Sequence, residues 1–197
     1  MRSPRKGASE PKGGKREHLV TAACELFHRQ GVAATTLADI AGRSGVPLGN
    51  VYYYFKAKDD IVAAVVEARS REIQSLGAML EQRHRSPKAR LKALVSLTAD
   101  QREVITRYGC PYGTLCAELV NKDEDTPRSL AAGLMRSLVA WTEQQFRQMG
   151  RRDARELAVE LVAMYQGGAA VASALDAPDV FAQQARRMQR WLDAIKT

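Results

Sequence analysis

Apolar residues recur at helical spacing along nearly the whole of this chain, and Gly or Pro stands at many of the points where the recurrence stops. Leu19, Ala22, Ala23, Leu26 and Phe27 follow the i, i+3, i+4, i+7, i+8 pattern of one buried face, which predicts a helix over residues 15–30 with Gly31 as its stop. Thr36 with Asp39 three places on resembles a capping box, and Leu37, Ile40 and Ala41 form the inner face of a second helix that Gly45 ends. Val46 plugs the corner. A third short helix follows Pro47, with Val51, Tyr54 and Phe55 facing inward.

The rest reads as longer helices over residues 61–83, 86–107, 111–120, 126–150 and 153–175. Asp176 and Pro178 launch a last one through about 195. Ser86-Pro87, Pro111 and Thr126-Pro127 mark starts, because Pro fits a first helical turn. No alternating strand pattern and no internal repeat interrupts them. The expectation is an all-α fold: a basic arm at 1–14, a three-helix head at 15–60 and a larger helical body at 61–197.

Charge separates these parts. Residues 1–58 hold ten Lys or Arg against four Asp or Glu, whereas the remaining residues hold twenty against eighteen. A basic block attracts phosphate backbones or anionic lipid heads, and it also keeps a surface solvated. Cys24, Cys110 and Cys116 do not make a disulfide framework, and residues 1–17 have no apolar centre of a signal peptide. A cytoplasmic protein with reduced thiols and no membrane association is therefore expected. There is no nucleophile motif, no phosphate-binding Gly loop and no metal-ligand spacing around His18, His28 or His84, so neither an enzyme nor a cofactor is expected.

Two short helices joined by a Gly-containing turn describe a helix-turn-helix. Thr35-Thr36-Leu37-Ala38-Asp39-Ile40-Ala41, then Ser44-Gly45-Val46, then Gly49-Asn50-Val51-Tyr52-Tyr53-Tyr54-Phe55-Lys56-Ala57-Lys58 resembles the TetR family of bacterial regulators over residues 16–66. The resemblance implies a homodimeric transcription regulator with a variable ligand-binding body and a recognition helix at 48–54. Carried over by position, Thr36, Tyr52 and Lys58 would contact phosphate in double-stranded DNA, while Leu48, Gly49, Asn50 and Tyr53 would face the major groove. Chemistry agrees: Asn can read adenine with two hydrogen bonds, and Tyr hydroxyls and Lys suit phosphates. The family often has Ser where this chain has Pro47, which removes a capping hydroxyl. Arg2, Arg5, Lys6 and Lys12 would serve either as a minor-groove arm or as a solubilising tail.

In the body, the last two helices, over about 153–195, are the candidates for pairing two copies. Leu157, Leu161, Met164, Val171 and Leu175 line one of them. Phe181, Ala185, Met188, Leu192 and Ile195 line the other. Gly167, Gly168, Ala169 and Ala170 would allow close backbone approach; ordinary packing within one chain is the alternative. A pocket for an apolar or aromatic effector is expected between the body helices, lined by Cys110, Tyr112, Thr114, Leu115, Met135, Leu138, Trp141 and Tyr165, most of which would serve equally as core. The stretch around Tyr108-Gly109-Cys110-Pro111-Tyr112 is similar to one in regulators responding to drugs, aromatics or electrophiles. Cys110 before a helix start therefore reads either as a thiol sensor or as a small buried thiol. The reading is a ligand-responsive repressor on a palindromic operator; an activator or a thiol-based electrophile sensor of the same fold is the alternative.

Overall fold

A computed structural model describes residues 14–121 and 125–196. The expected basic arm lies, except for Gly14, outside the described residues. Among the described residues the chain forms ten helices and no strand: α1 Lys15–Ala34, α2 Leu37–Ser44, α3 Leu48–Tyr54, α4 Lys58–Arg83, α5 Pro87–Asp100, α6 Arg102–Tyr108, α7 Pro111–Val120, α8 Asp125–Gln148, α9 Ala154–Leu175 and α10 Pro178–Ala194. The all-α expectation holds.

The head forms for local reasons. Gly31 takes φ +84°, a conformation that L side chains rarely adopt, and it kinks α1 one turn before its end. The Thr36 side chain accepts the Asp39 N–H at 3.1 Å while Asp39 accepts the Thr36 N–H at 2.8 Å, so both orphan donors at the start of α2 are satisfied. Gly45 closes α2 in the left-handed region at φ 71°, and Val46 behind it is buried. Val51 and Phe55 are fully interior, and Tyr54 packs half-buried against the same cluster.

That cluster is not confined to the head. It joins Leu19, Phe27, Ile40, Val51 and Phe55 to Ile61, Val65 and Ile73 of α4, Leu115 and Leu119 of α7, and Leu134 of α8. Head and body thus share one core. At 26 residues, α4 is about 39 Å long at 1.5 Å per residue and runs from the head into the body. A second cluster holds α5, α8, α9 and α10 together through Leu91, Phe146, Leu161, Met188 and Leu192. A third seats Ile105 of α6 on Ala169, Ala172 and Phe181.

Four expectations need correction. The helix expected over 86–107 is two helices, broken at Gln101, whose ψ of 13° lies outside the helical range and whose N–H bonds Thr98. The break lets Ile105 turn into the third cluster, and no Gly or Pro marks it. The helix expected from residue 61 begins at Lys58, because Asp60 reaches back to the N–H groups of Lys56 and Ala57 at 2.8 and 3.0 Å. Asp176 does not open the last helix: it ends α9 in the left-handed conformation, and Pro178 begins α10. Finally, Phe181, Ala185, Met188 and Leu192 are not presented for pairing, since α10 buries them against its own chain. Gly168 belongs to the same contact, where an added methyl would fall 2.7 Å from Gln184.

Candidate nucleic-acid interface and ligand cavity

The outer face of α3 carries Leu48, Gly49, Tyr52 and Tyr53 in the i, i+1, i+4, i+5 relation of one helix side, all exposed. Tyr53, at 75 % exposure, is the most open large side chain on it, and its ring stands edge-on to Tyr54 at 5.0 Å. Burying Val51 and Phe55 on the opposite side is what turns these tyrosines outward. Asn50 is half-buried at the flank, with its N–H bonded to Pro47 at 2.8 Å.

Thr36 caps the start of α2 and Lys58 opens α4. Lys58 Nζ donates to the Ala33 carbonyl at 3.2 Å, so it sits over the joint between α1 and α2. The Thr36 hydroxyl and N–H hold the Asp39 carboxyl below the usual carboxylate range, with Lys58 adding to the effect. Arg43 is tied back to Glu25 of α1 through a two-pronged ion pair and so holds α2 against α1. The arrangement presents hydroxyls, an amide and ammonium groups, which can hydrogen-bond phosphates and base edges.

The body contains a cavity of about 300 Å³ between α4, α5, α7, α8 and α9. Tyr112, Leu138, Trp141 and Tyr165 line it. Cys110, Thr114 and Met135 do not: they border a separate open depression against Gln166 and Ala170 of α9. Leu115 borders neither and is core, because the third residue after Tyr112 faces α1 and α8 instead. Sequence reasoning missed Leu76 and Gly77 of α4, Leu94 and Thr98 of α5, Gln101, and Val162 of α9. Each of these helical stripes reads as ordinary core, and no local signal separates a residue that faces a void from one that faces a neighbour.

Among the described residues, no Asp, Glu, Lys or Arg lines the cavity. Its polar groups are two phenols, an indole, two threonines and the Gln101 amide. Burial pushes the Tyr112 phenol up to about 12, with the Glu72 carboxylate adding to the rise and Arg69 opposing it. Burial, with the Cys110 thiol beside it, also pushes the Tyr165 phenol up. Both stay neutral donors at ordinary pH. Trp141 is fixed at the wall: its Nε1–H donates to Glu81 at 3.1 Å, and its indole rests on Gly77, where an added methyl would fall 2.5 Å from Nε1. Cys110 is 3 % exposed, and its sulfur accepts the Gly113 N–H at 3.4 Å as the cap of α7. Burial raises the Cys24 and Cys116 thiols, the latter to about 11.

Three contacts tie the cavity region to the head. Glu118 of α7 accepts from the N–H groups of Val32 and Ala33 at 2.8 and 3.2 Å. Arg69 of α4 lies 6.0 Å over the Tyr112 ring and donates to the Cys24 carbonyl of α1 at 3.1 Å. His28 Nε2 donates to the Gly109 carbonyl at 2.9 Å.

On α9, the outward face carries Val159, Ala163, Gly167, Ala170, Val171 and Leu175. By length and composition this helix is apolar enough to cross a membrane. Its inner residues Ala158, Leu161, Ala169 and Ala172 nonetheless pack on the rest of the bundle.

Residues 19–65 match the family model of bacterial regulatory proteins, tetR family. An HTH-type transcriptional regulator encoded in the lacX 3′ region of Lactococcus lactis is 32% identical over 118 residues, 58% of this chain and 60% of that protein. The HTH-type transcriptional regulator LmrA of Bacillus subtilis is 27% identical over 166 residues, covering 79% of this chain and 85% of LmrA. Several other curated relatives are matched over about half of their length or less. Among solved structures, the regulatory protein TetR from Rhodobacter sphaeroides shares the fold, with a TM-score of 0.77 at 24% identity over 89% of this chain and 97% of that one.

Proposed function

We propose that the chain, whose residues 19–65 match the tetR family model and form a helix-turn-helix, is a TetR-family transcriptional regulator, and more finely a ligand-responsive repressor acting as a homodimer on a palindromic operator. The observation that carries this reading is the pairing of an outward Leu48, Tyr52 and Tyr53 face with an uncharged cavity in the same short chain.

In this reading α3 enters the major groove. Asn50 and Tyr53 read base edges and Leu48 meets thymine methyls. Thr36, Tyr52 and Lys58 hold phosphates, so the first group sets sequence preference and the second sets affinity and salt dependence. One head makes few base contacts. Two copies double them, which fits the apolar, small-residue outer face of α9 as the pairing surface, with the exposed residues of α10 beside it.

The effector is an uncharged, largely aromatic molecule. A cavity without charged side chains would leave an ionic ligand unpaired, whereas Tyr112 and Tyr165 offer hydroxyl donors and Trp141 a flat wall. Occupancy favours a body shape in which the two heads no longer span successive major grooves, about 34 Å apart. A coupling of about 1–3 kcal/mol suffices for useful release.

Paired substitutions test the reading on a duplex recovered by selection. Lys58→Ala is expected to weaken binding to all sequences and lower the salt slope by about one. Asn50→Ala is expected to relax preference at one base position. Unchanged binding in Lys58→Ala together with unchanged base preference in Asn50→Ala would contradict this placement of the interface. Addition of the protein to a purified transcription reaction is expected to lower the transcript; a rise would make it an activator.

A further inference from the structure

We propose that Glu118 is the positioning residue through which the cavity acts on the DNA-binding head, by clamping the joint between α1 and α2; this rests on the regulator reading above. Gly31 creates the need for such a clamp. Its φ of +84° interrupts the hydrogen-bond ladder of α1, so the N–H groups that follow need a partner from outside the helix. The Glu118 carboxylate supplies it, with a single oxygen accepting from both Val32 and Ala33. A charged acceptor makes these bonds stronger than neutral ones. Residue 31 must also lack a side chain for the carboxylate to fit: a methyl there would fall 2.9 Å from Glu118 Oε1.

The clamped joint is short and leads directly into the DNA-binding elements. Thr35 is fully buried and its hydroxyl donates to Gly31 at 2.7 Å, the Ala33 carbonyl accepts Lys58, and Thr36 opens α2. Displacing the carboxylate therefore frees the two amides whose bonds tie the end of α1 to α7, and with them the short joint that leads into α2 and α3.

The other end of α7 is the cavity wall. Pro111 and Tyr112 in its first turn line the cavity, and Glu118 lies six residues on, about 9 Å along the axis. One ten-residue helix thus touches the cavity with its first turn and the head with its third. A ligand that presses on Tyr112 moves α7 as a unit, since helices of this length do not bend without a break in their ladder. The Tyr112 face also meets Arg69, which bonds α1 at Cys24, so the same displacement loosens a second hold on the head.

The test uses amide hydrogen exchange on the full chain together with titration of a duplex selected from random DNA. Glu118→Ala is expected to speed exchange at Val32 and Ala33 by about tenfold or more, and to weaken DNA binding by a similar factor, while Ile40 and Val51 keep their protection. Glu118→Gln, which retains a neutral acceptor, is expected to fall between. The cavity is then filled from α9 by Val162→Phe, or from α5 by Thr98→Leu where the first variant does not fold. Filling is expected to speed exchange at Val32 and Ala33 and to weaken DNA binding in the otherwise native chain, but to add nothing to Glu118→Ala. Unchanged exchange at both amides in Glu118→Ala, no response to filling, or a filling effect of the same size with and without Glu118 would each overturn the proposal. Failure to select any duplex would instead overturn the repressor reading, and the exchange measurements would still decide whether the clamp exists.

Discussion

The outer face of α3 and the cavity of the body are both built largely from aromatic and aliphatic side chains, yet they are encoded in opposite ways. The face comes from one run, 48–54, whose inner residues Val51 and Phe55 are buried and whose outer residues are thereby turned to solvent. The cavity draws its wall from α4, α5, α7, α8, α9 and Met188 of α10. The first is a property of local helix geometry, so its chemistry depends on a few side chains. The second is a gap left where several helices fail to meet, so a change on any of them reshapes it.

The largest effect that separates the two regions lies beneath the face. Phe55→Ala removes a ring only 2 % exposed and is expected to cost about 3–5 kcal/mol in urea unfolding, with DNA binding lost at the same time. Retention of full DNA affinity by this variant would break the link between the buried and outward sides of α3. Gly77→Ala probes the cavity instead. The added methyl drives into Trp141, at an expected cost of about 1–3 kcal/mol, with a change in tryptophan emission. Thr36→Ala removes the capping hydroxyl of α2 and is expected to lower stability by about 1 kcal/mol, read by thermal unfolding. Tyr53→Ala touches no core and is expected to leave stability within about 0.5 kcal/mol while weakening DNA binding in titrations.

The smallest effect concerns the seam between the regions. Burial holds the His28 imidazole below its ordinary value of 6.5; the bond to Gly109 opposes this, and the neighbouring charges of Arg69 and Arg29 reinforce it. The unfolded chain therefore takes up the proton first as pH falls. Stability present above about 6.5 is lost as pH drops toward the lower folded value. The thermal midpoint of the native chain is expected to fall more between about pH 7.5 and 5.5 than that of His28→Gln. Equal slopes would remove His28 from the seam.

The head was legible because each of its devices spans five residues or fewer. Thr36 and Asp39 close a box within one turn, Gly45 marks the one left-handed residue of the turn, and Val51, Tyr54 and Phe55 share a face by spacing alone. The body was legible as helices and not as a site. Leu91 and Leu94 lie on one apolar stripe of α5, yet Leu91 is core and Leu94 borders the cavity. Leu115 and Tyr112 are one turn apart on α7, and only Tyr112 reaches the void. The stripe on α10 has the period of a pairing face, but a period does not say whether the partner is another chain or the same one. The break at Gln101 had no Gly or Pro to announce it, because it is imposed by the packing of Ile105 on α9 and α10. Glu118 carries no motif: its importance appears only where it meets Val32 and Ala33, more than eighty residues away.

The most direct test of the regulator reading is selection of bound sequences from a random DNA pool by the full chain at near-physiological salt. A palindromic motif is predicted, with half-sites centred about one helical turn apart. Enrichment without a motif would contradict a sequence-reading head, and a single unpaired half-site would contradict the homodimer.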